Sequence, residues 1–157
     1  MIVSLIVTTY NNPNMLRLCL MSVAIQTRIP DEVIVADDGS TDETRILIED
    51  IAKNFPCPLI HAWQEDRGFR AAESRNNALR KCNGEYIIMI DGDIIMERHF
   101  IADHERLAEK GYFVLGSRAK LNPEVSNKLM NGKKKNIHWY SNGVSRRLNA
   151  IYLPWLT

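Results

Sequence analysis

The chain has 157 residues, 45% of them hydrophobic and 25% charged, with a formal net charge of +1. That length suits one globular domain with a single core and excludes a second full domain. Three widely spaced cysteines, Cys19, Cys57 and Cys82, form no CxxC pair and stand near no histidine. They argue against sulfur ligation of a metal and for reduced thiols in a cytoplasmic compartment.

Apolar runs and amphipathic segments alternate along the chain. Residues 2–8 are too few to cross a bilayer, follow no basic leader, and read as a first strand. Pro13 then precedes a helical pattern over 14–26, with Met15, Leu16, Leu18, Leu20, Val23 and Ile25 apolar. Residues 32–36 give a second strand ending in Asp37-Asp38-Gly39-Ser40, and Ser40 or Thr41 can cap a helix over 42–54. Pro56-Cys57-Pro58 breaks that helix, and 59–63 is a short third strand. A helix over 71–81 stops near Asn83-Gly84. Strand 86–90 runs into Asp91-Gly92-Asp93, helix 100–110 follows, and 112–115 offers one more strand. Short apolar strands separated by helices specify an α/β class with a mostly parallel sheet covered on both faces. From Lys120 the periodicity weakens, Asn131–Asn136 reads as an exposed loop, and the apolar end at 152–157 suggests a sequence stopping inside a larger fold.

Charge is segregated. Residues 1–117 carry 12 basic and 18 acidic side chains, whereas 118–157 carry 8 basic ones and the single acid Glu124. A basic tail suits anionic lipid headgroups, nucleic acid or a phosphorylated substrate, and equally a solvated end.

Three strand ends converge where ligands gather in a parallel sheet, beyond the carboxyl ends. Thr8-Thr9-Tyr10 follows the first, Asp37-Asp38 the second, and Asp91-Gly92-Asp93 a later one. Tyr10 can stack a base, Asp38 can accept from a base N–H or a ribose hydroxyl, and Asp91 with Asp93 can hold a hard divalent ion shared with phosphate. Either Arg70 or Arg75 can reach a phosphate, although Arg70 can instead pair with Glu73 on the helix.

In the order of these motifs, residues 2–118 resemble inverting glycosyltransferase family 2 with the GT-A fold. The matching segments are Val3 to Asn11, Val35 to Asp42, Arg75 to Leu79, and Gly84-Glu85-Tyr86 leading into Asp91-Gly92-Asp93. The loop from Glu65 to Arg70 and the stretch from Tyr112 to Arg118 are similar to bacterial enzymes that build lipopolysaccharide, capsule or related surface glycans. The resemblance implies a Rossmann-like GT-A core at 1–118, incomplete at the C-terminus, with 119–157 a basic segment that is either the start of an acceptor-side region or a truncated tail. It implies that Thr8, Tyr10 and Asp38 hold the nucleoside, that Arg70 lies near the diphosphate, and that Asp91 lies near the ribose or the metal's water shell. Asp93 would be the direct ligand of Mn²⁺ or Mg²⁺. The implied partners are a nucleotide-sugar donor, with a UDP-sugar foremost, and a glycan or lipid-linked acceptor; the reduced thiols and the basic tail add the expectation of a cytoplasmic protein peripheral to the inner membrane face. Nucleic acid is not among them.

An inverting transfer also needs a carboxylate base from a later segment. The only acid after Glu109 is Glu124, and nothing around it matches, so the base is expected to be absent from this chain. A sugar-nucleotide nucleotidyltransferase and a non-catalytic nucleotide-binding module are the alternatives. The first usually carries a Gly-rich, Arg-containing loop after strand one, where this chain has Thr-Thr-Tyr-Asn-Asn-Pro.

Overall fold

A computed structural model describes residues 1–132 and 140–150, so Lys133, Lys134, Lys135 and the apolar end at 152–157 lie outside the described residues. The chain divides into two units, 1–113 and 114–157.

In the first unit the order is β1 (Val3–Thr9), α1 (Pro13–Ala24), β2 (Glu32–Asp37), α2 (Asp42–Ala52), β3 (Leu59–Trp63), α3 (Ala71–Leu79), β4 (Tyr86–Asp91) and α4 (Phe100–Leu107). The four strands form one parallel sheet in the order β3-β2-β1-β4. Asn12 starts α1 by accepting from the Met15 N–H at 3.4 Å, and Pro13 takes a first-turn position where its missing N–H costs nothing.

Val3, Leu5 and Val7 of β1, with Val33, Val35 and Ile88, bury one face under Leu16, Cys19, Leu20 and Val23 of α1 and Leu47 and Ile48 of α2. Ile6, Ile34, Ala36 and Ala62 bury the other face under Ala78 and Leu79 of α3. β1 and β2 are therefore apolar at nearly every position, as a doubly covered strand must be. The expected cover on both faces fails at β4, where Ile87 and Met89 are exposed. Helix α3 packs mainly on β1, β2 and β3 and reaches the edge strand through Arg75 at Asp91, which leaves Ile87 and Met89 uncovered.

The strand expected at 112–115 does not form. An extended run becomes a strand only with a hydrogen-bonded neighbour, and here Tyr112, Phe113 and Leu115 are 73%, 81% and 83% exposed. Helix α4 also ends earlier than expected, because Ala108 is already extended.

At the amino end of the sheet a buried polar network ties distant segments together. The Ser4 hydroxyl donates to Glu32 Oε1 at 2.6 Å, and the Asn83 backbone N–H and Nδ2 donate to the same carboxylate at 2.6 and 2.9 Å. Burial pushes the Glu32 carboxyl up, but the bonds from Asn83 and Ser4 outweigh it and hold it below the usual range. Gly84 donates its N–H to Ser4 Oγ at 2.8 Å.

In the second unit, β5 (Lys120–Leu121) pairs antiparallel with β6 (Val144–Ser145). Between them lies α5 (Pro123–Met130), capped by Asn122, whose Oδ1 accepts from Val125 N at 2.9 Å. A short 3₁₀ turn spans Arg147–Ala150.

A methyl group at Gly84 would sit 2.6 Å from Ser4 N and closer still to Ser4 Oγ. Gly84→Ala should therefore cost about 1–3 kcal/mol through overpacking, read as a lower urea midpoint at unchanged slope. A loss under about 0.5 kcal/mol would show that the network yields.

Candidate functional site

The strand order fixes where a ligand can bind. From β1 the chain moves to β2 and β3 on one side and returns with β4 on the other, so the switch point lies between the carboxyl ends of β1 and β4. Thr8 and Asp91 are register partners there. The Thr8 hydroxyl donates to Asp91 Oδ1 at 3.1 Å, and Arg75 Nη2 of α3 reaches the same oxygen at 3.1 Å. The Gly92 N–H donates to Thr8 O at 2.7 Å. A Cβ at Gly92 would lie 2.6 Å from that carbonyl, so close approach, not a left-handed turn, is what requires glycine.

Asp93 follows in the turn. It is exposed and has no hydrogen-bond or ion-pair partner among the described residues. It stands close enough to α1 for its charge to act on Cys19, whose thiol burial, with Asp93, raises to about 12. Such a thiol is inert as a nucleophile at neutral pH. Among the described residues no trio of His, Cys, Asp or Glu side chains gathers as a full ligand set. A hard divalent ion that keeps several waters and takes phosphate oxygens needs only one or two carboxylates, so an unpartnered Asp93 beside Asp91 fits such an ion.

The acidic pair after β2 splits into two roles. Asp37 is fully buried, with Oδ2 bonded to His61 Nε2 at 2.8 Å and Oδ1 accepting from Ser40 N at 2.8 Å. Burial raises its pKa, but the bonds from His61 and Ser40 outweigh that and hold it below the usual carboxylate range. Asp38 faces the site rim at 5% exposure. Its Oδ1 accepts from Gln64 Nε2 at 2.7 Å and its Oδ2 from Arg70 N at 2.8 Å. Each oxygen keeps a second lone pair for a ligand donor.

Tyr10 is 52% exposed and donates its hydroxyl to Asp66 Oδ2 at 3.0 Å, a bond that together with the Asp66 charge raises its pKa. Gly39 has φ +97°, and a Cβ there would meet Asp66 at 2.5 Å, so this glycine lets the 64–70 loop close on the β2 end.

Of the residues singled out in the sequence, Thr8 and Asp91 are in contact, Asp93 adjoins them, and Asp38 and Tyr10 face the loop at 64–70. Arg70 turns elsewhere: Nη1 pairs with Glu73 at 2.8 Å and Nη2 donates to Glu65 O. Arg75 is the guanidinium at the acidic turn. Three polar groups escaped the sequence reading: Gln64, Asn77, whose Nδ2 donates to Gln64 Oε1 at 2.7 Å, and His61 behind Asp37. Gln64 immediately follows β3, so the rule that selected Asp38 and Asp91 also selects it.

The chain matches the family model described as Glycosyl transferase family 2 over residues 4–154. It is 32% identical over 104 residues to validoxylamine A glucosyltransferase of Streptomyces hygroscopicus subsp. limoneus, covering 64% of this chain and 22% of that protein. It is 36% identical over 107 residues to putative glycosyltransferase EpsH of Bacillus subtilis, covering 68% and 30%. Among solved structures, mannosyltransferase PcManGT from Pyrobaculum calidifontis in complex with GDP-Man and Mn²⁺ superposes with TM-score 0.59 at 27% identity, over 82% of this chain and 38% of that one. S. aureus TarS 1-349 in complex with UDP-GlcNAc gives 0.58 at 29%, over 68% and 30%. The chain thus spans well under half the length of each of these relatives.

Because the folded pKa of Asp37 is depressed, its contribution to stability is present at neutral pH and disappears as the solution is acidified through that pKa. Asp37→Asn should be about 2–3 kcal/mol less stable at pH 7 and lose less than the parent between pH 5 and pH 3, read by urea unfolding at each pH. Equal acid losses in both proteins would remove Asp37 as the source.

Proposed function

The chain belongs to glycosyl transferase family 2, and on that footing we propose that it binds the nucleotide-sugar donor of an inverting glycosyl transfer to a glycan or lipid-linked acceptor. The carrying observation is the meeting of Asp91 and Arg75 with an unpartnered Asp93 at the switch point, beside Tyr10 after β1 and Asp38 after β2. Residues 1–118 supply the donor side, and 119–157 open the acceptor side.

In this arrangement Tyr10 stacks the base, and Asp38, held still by Gln64 and the Arg70 backbone, accepts from a base N–H or a ribose hydroxyl. Thr8 and Arg75 orient Asp91 near the ribose, and Arg75 offers its remaining donors to the diphosphate. Asp93 with Asp91 would hold Mn²⁺ or Mg²⁺, a Lewis acid for the departing diphosphate. The acceptor hydroxyl needs a general base, and Glu124 does not supply it, because it is ion-paired with Lys128 on the exposed side of α5. Transfer then requires a base outside these 157 residues, which also keeps a non-catalytic nucleotide-binding module as the second reading.

Arg118, Lys120, Lys128, Arg146 and Arg147 are all exposed. We place them against an anionic membrane surface, near lipid-linked acceptors; no helix among the described residues is long and apolar enough to cross a membrane.

Calorimetry with UDP, GDP and their sugars, with and without Mn²⁺, tests the donor site. Metal-dependent binding of at least one nucleoside diphosphate is expected, weakened about tenfold or more in Asp93→Ala and about fivefold or more in Arg75→Ala. A folded protein that binds none of them rejects the proposal. For the basic residues, cosedimentation with anionic but not neutral vesicles is expected, declining with salt. Indifference to lipid charge would reject that placement.

A further inference from the structure

The segment at 94–99, between the acidic turn and α4, is neither helix nor strand, yet Met96 N, Glu97 O and Arg98 O of its backbone are bonded to Ser22, Gln26 and Thr27 at the end of α1. Gln26 is 6% exposed and lies just beyond α1. Its Nε2 donates to Glu97 O at 2.7 Å and to Ser22 O at 3.1 Å, while its Oε1 accepts from Ile101 N at 3.1 Å. That last bond satisfies one of the orphan N–H groups in the first turn of α4, which has no side-chain cap of its own. Ser22, 4% exposed, accepts from Met96 N at 3.1 Å and donates to Cys19 O at 2.7 Å. Thr27 adds its backbone N–H to Arg98 O at 2.9 Å. Met96 and Ile101 are buried in the core beneath.

A buried amide with every group engaged is costly to misplace, since each lost partner leaves a desolvated polar atom. The fold therefore concentrates bonds on the segment immediately after Asp93 and leaves Asp93 itself without one. We infer that Gln26, assisted by Ser22, is a positioning residue for Asp93: it fixes the turn so that the free carboxylate meets the metal and diphosphate without a search. Gln26 touches neither ligand. This inference rests on the donor-site proposal above.

The test compares UDP affinity with and without Mn²⁺ for the parent chain, Gln26→Met, Ser22→Ala and Asp93→Ala, with thermal unfolding as the check on folding. Gln26→Met should reduce the Mn²⁺-dependent gain in UDP affinity about tenfold and leave metal-free UDP binding within about twofold. Ser22→Ala, which removes the hydroxyl's two bonds and little volume, should reduce the gain about threefold and serves as the test if Gln26→Met does not fold. In the Asp93→Ala background, Gln26→Met or Ser22→Ala should no longer change UDP affinity. A merely structural role would lower metal-free binding as well, and would do so with or without Asp93. A full Mn²⁺-dependent gain in folded Gln26→Met, or in Ser22→Ala where the first variant does not fold, overturns this inference alone. An equal loss in the Asp93→Ala background does the same. A parent chain whose UDP binding ignores Mn²⁺ overturns the metal assignment beneath it, and the inference falls with it.

Discussion

Hydrogen bonding of β1 on both sides is the constraint from which the carboxyl end of the sheet is built. Thr9 stands opposite Asp37 on one side and Thr8 opposite Asp91 on the other. Side chains alternate along a strand, so a slip of one residue in either pairing would turn the acidic side chains to the opposite face and expose the valines and isoleucines beneath them. Because β1 and β2 are buried on both faces, such a slip is opposed by the whole core, and the site inherits its geometry from packing. The 2.7 Å bond from Gly92 N to Thr8 O extends the same pairing one residue past the strand.

The two ends of the sheet divide their work. At the amino end, Glu32 is satisfied by Ser4 and Asn83, and Gly84 closes against Ser4 with no space for a side chain. At the carboxyl end, Asp37 is locked by His61 and Ser40, whereas Asp38 retains acceptor capacity and Asp93 is unpartnered. Adjacent aspartates thus differ by environment alone. One is an internal brace with both oxygens engaged, and the other keeps acceptor capacity at the strand end.

Much of this was legible in the sequence, and the exceptions have physical causes. β1 and β2 stand out as unbroken apolar runs because two covered faces leave no polar position, and the strand-end aspartates follow from the parallel topology. The segment at 112–115 misled because apolarity signals burial only when a partner strand exists, and pairing is a long-range matter. Helix α5 was missed although Asn122-Pro123 carries the start signal that marked α1 at Asn12-Pro13. The choice between Arg70 and Arg75 was open because one caps α3 and the other lies within it, and only the three-dimensional setting decides which one finds Glu73 and which one finds Asp91. Gln26 has no local signature at all, since its three partners include residues more than seventy positions away.

The strand order has a metric consequence. The Asp38 end and the Asp91 end hang from strands that flank the same central strand, so their separation is set by two inter-strand spacings, about 10 Å in all. Neither side chain can shorten that distance without breaking a ladder. The sheet therefore sets a fixed span: a ligand that engages both strand ends must bridge about 10 Å, whichever of its groups meets each one.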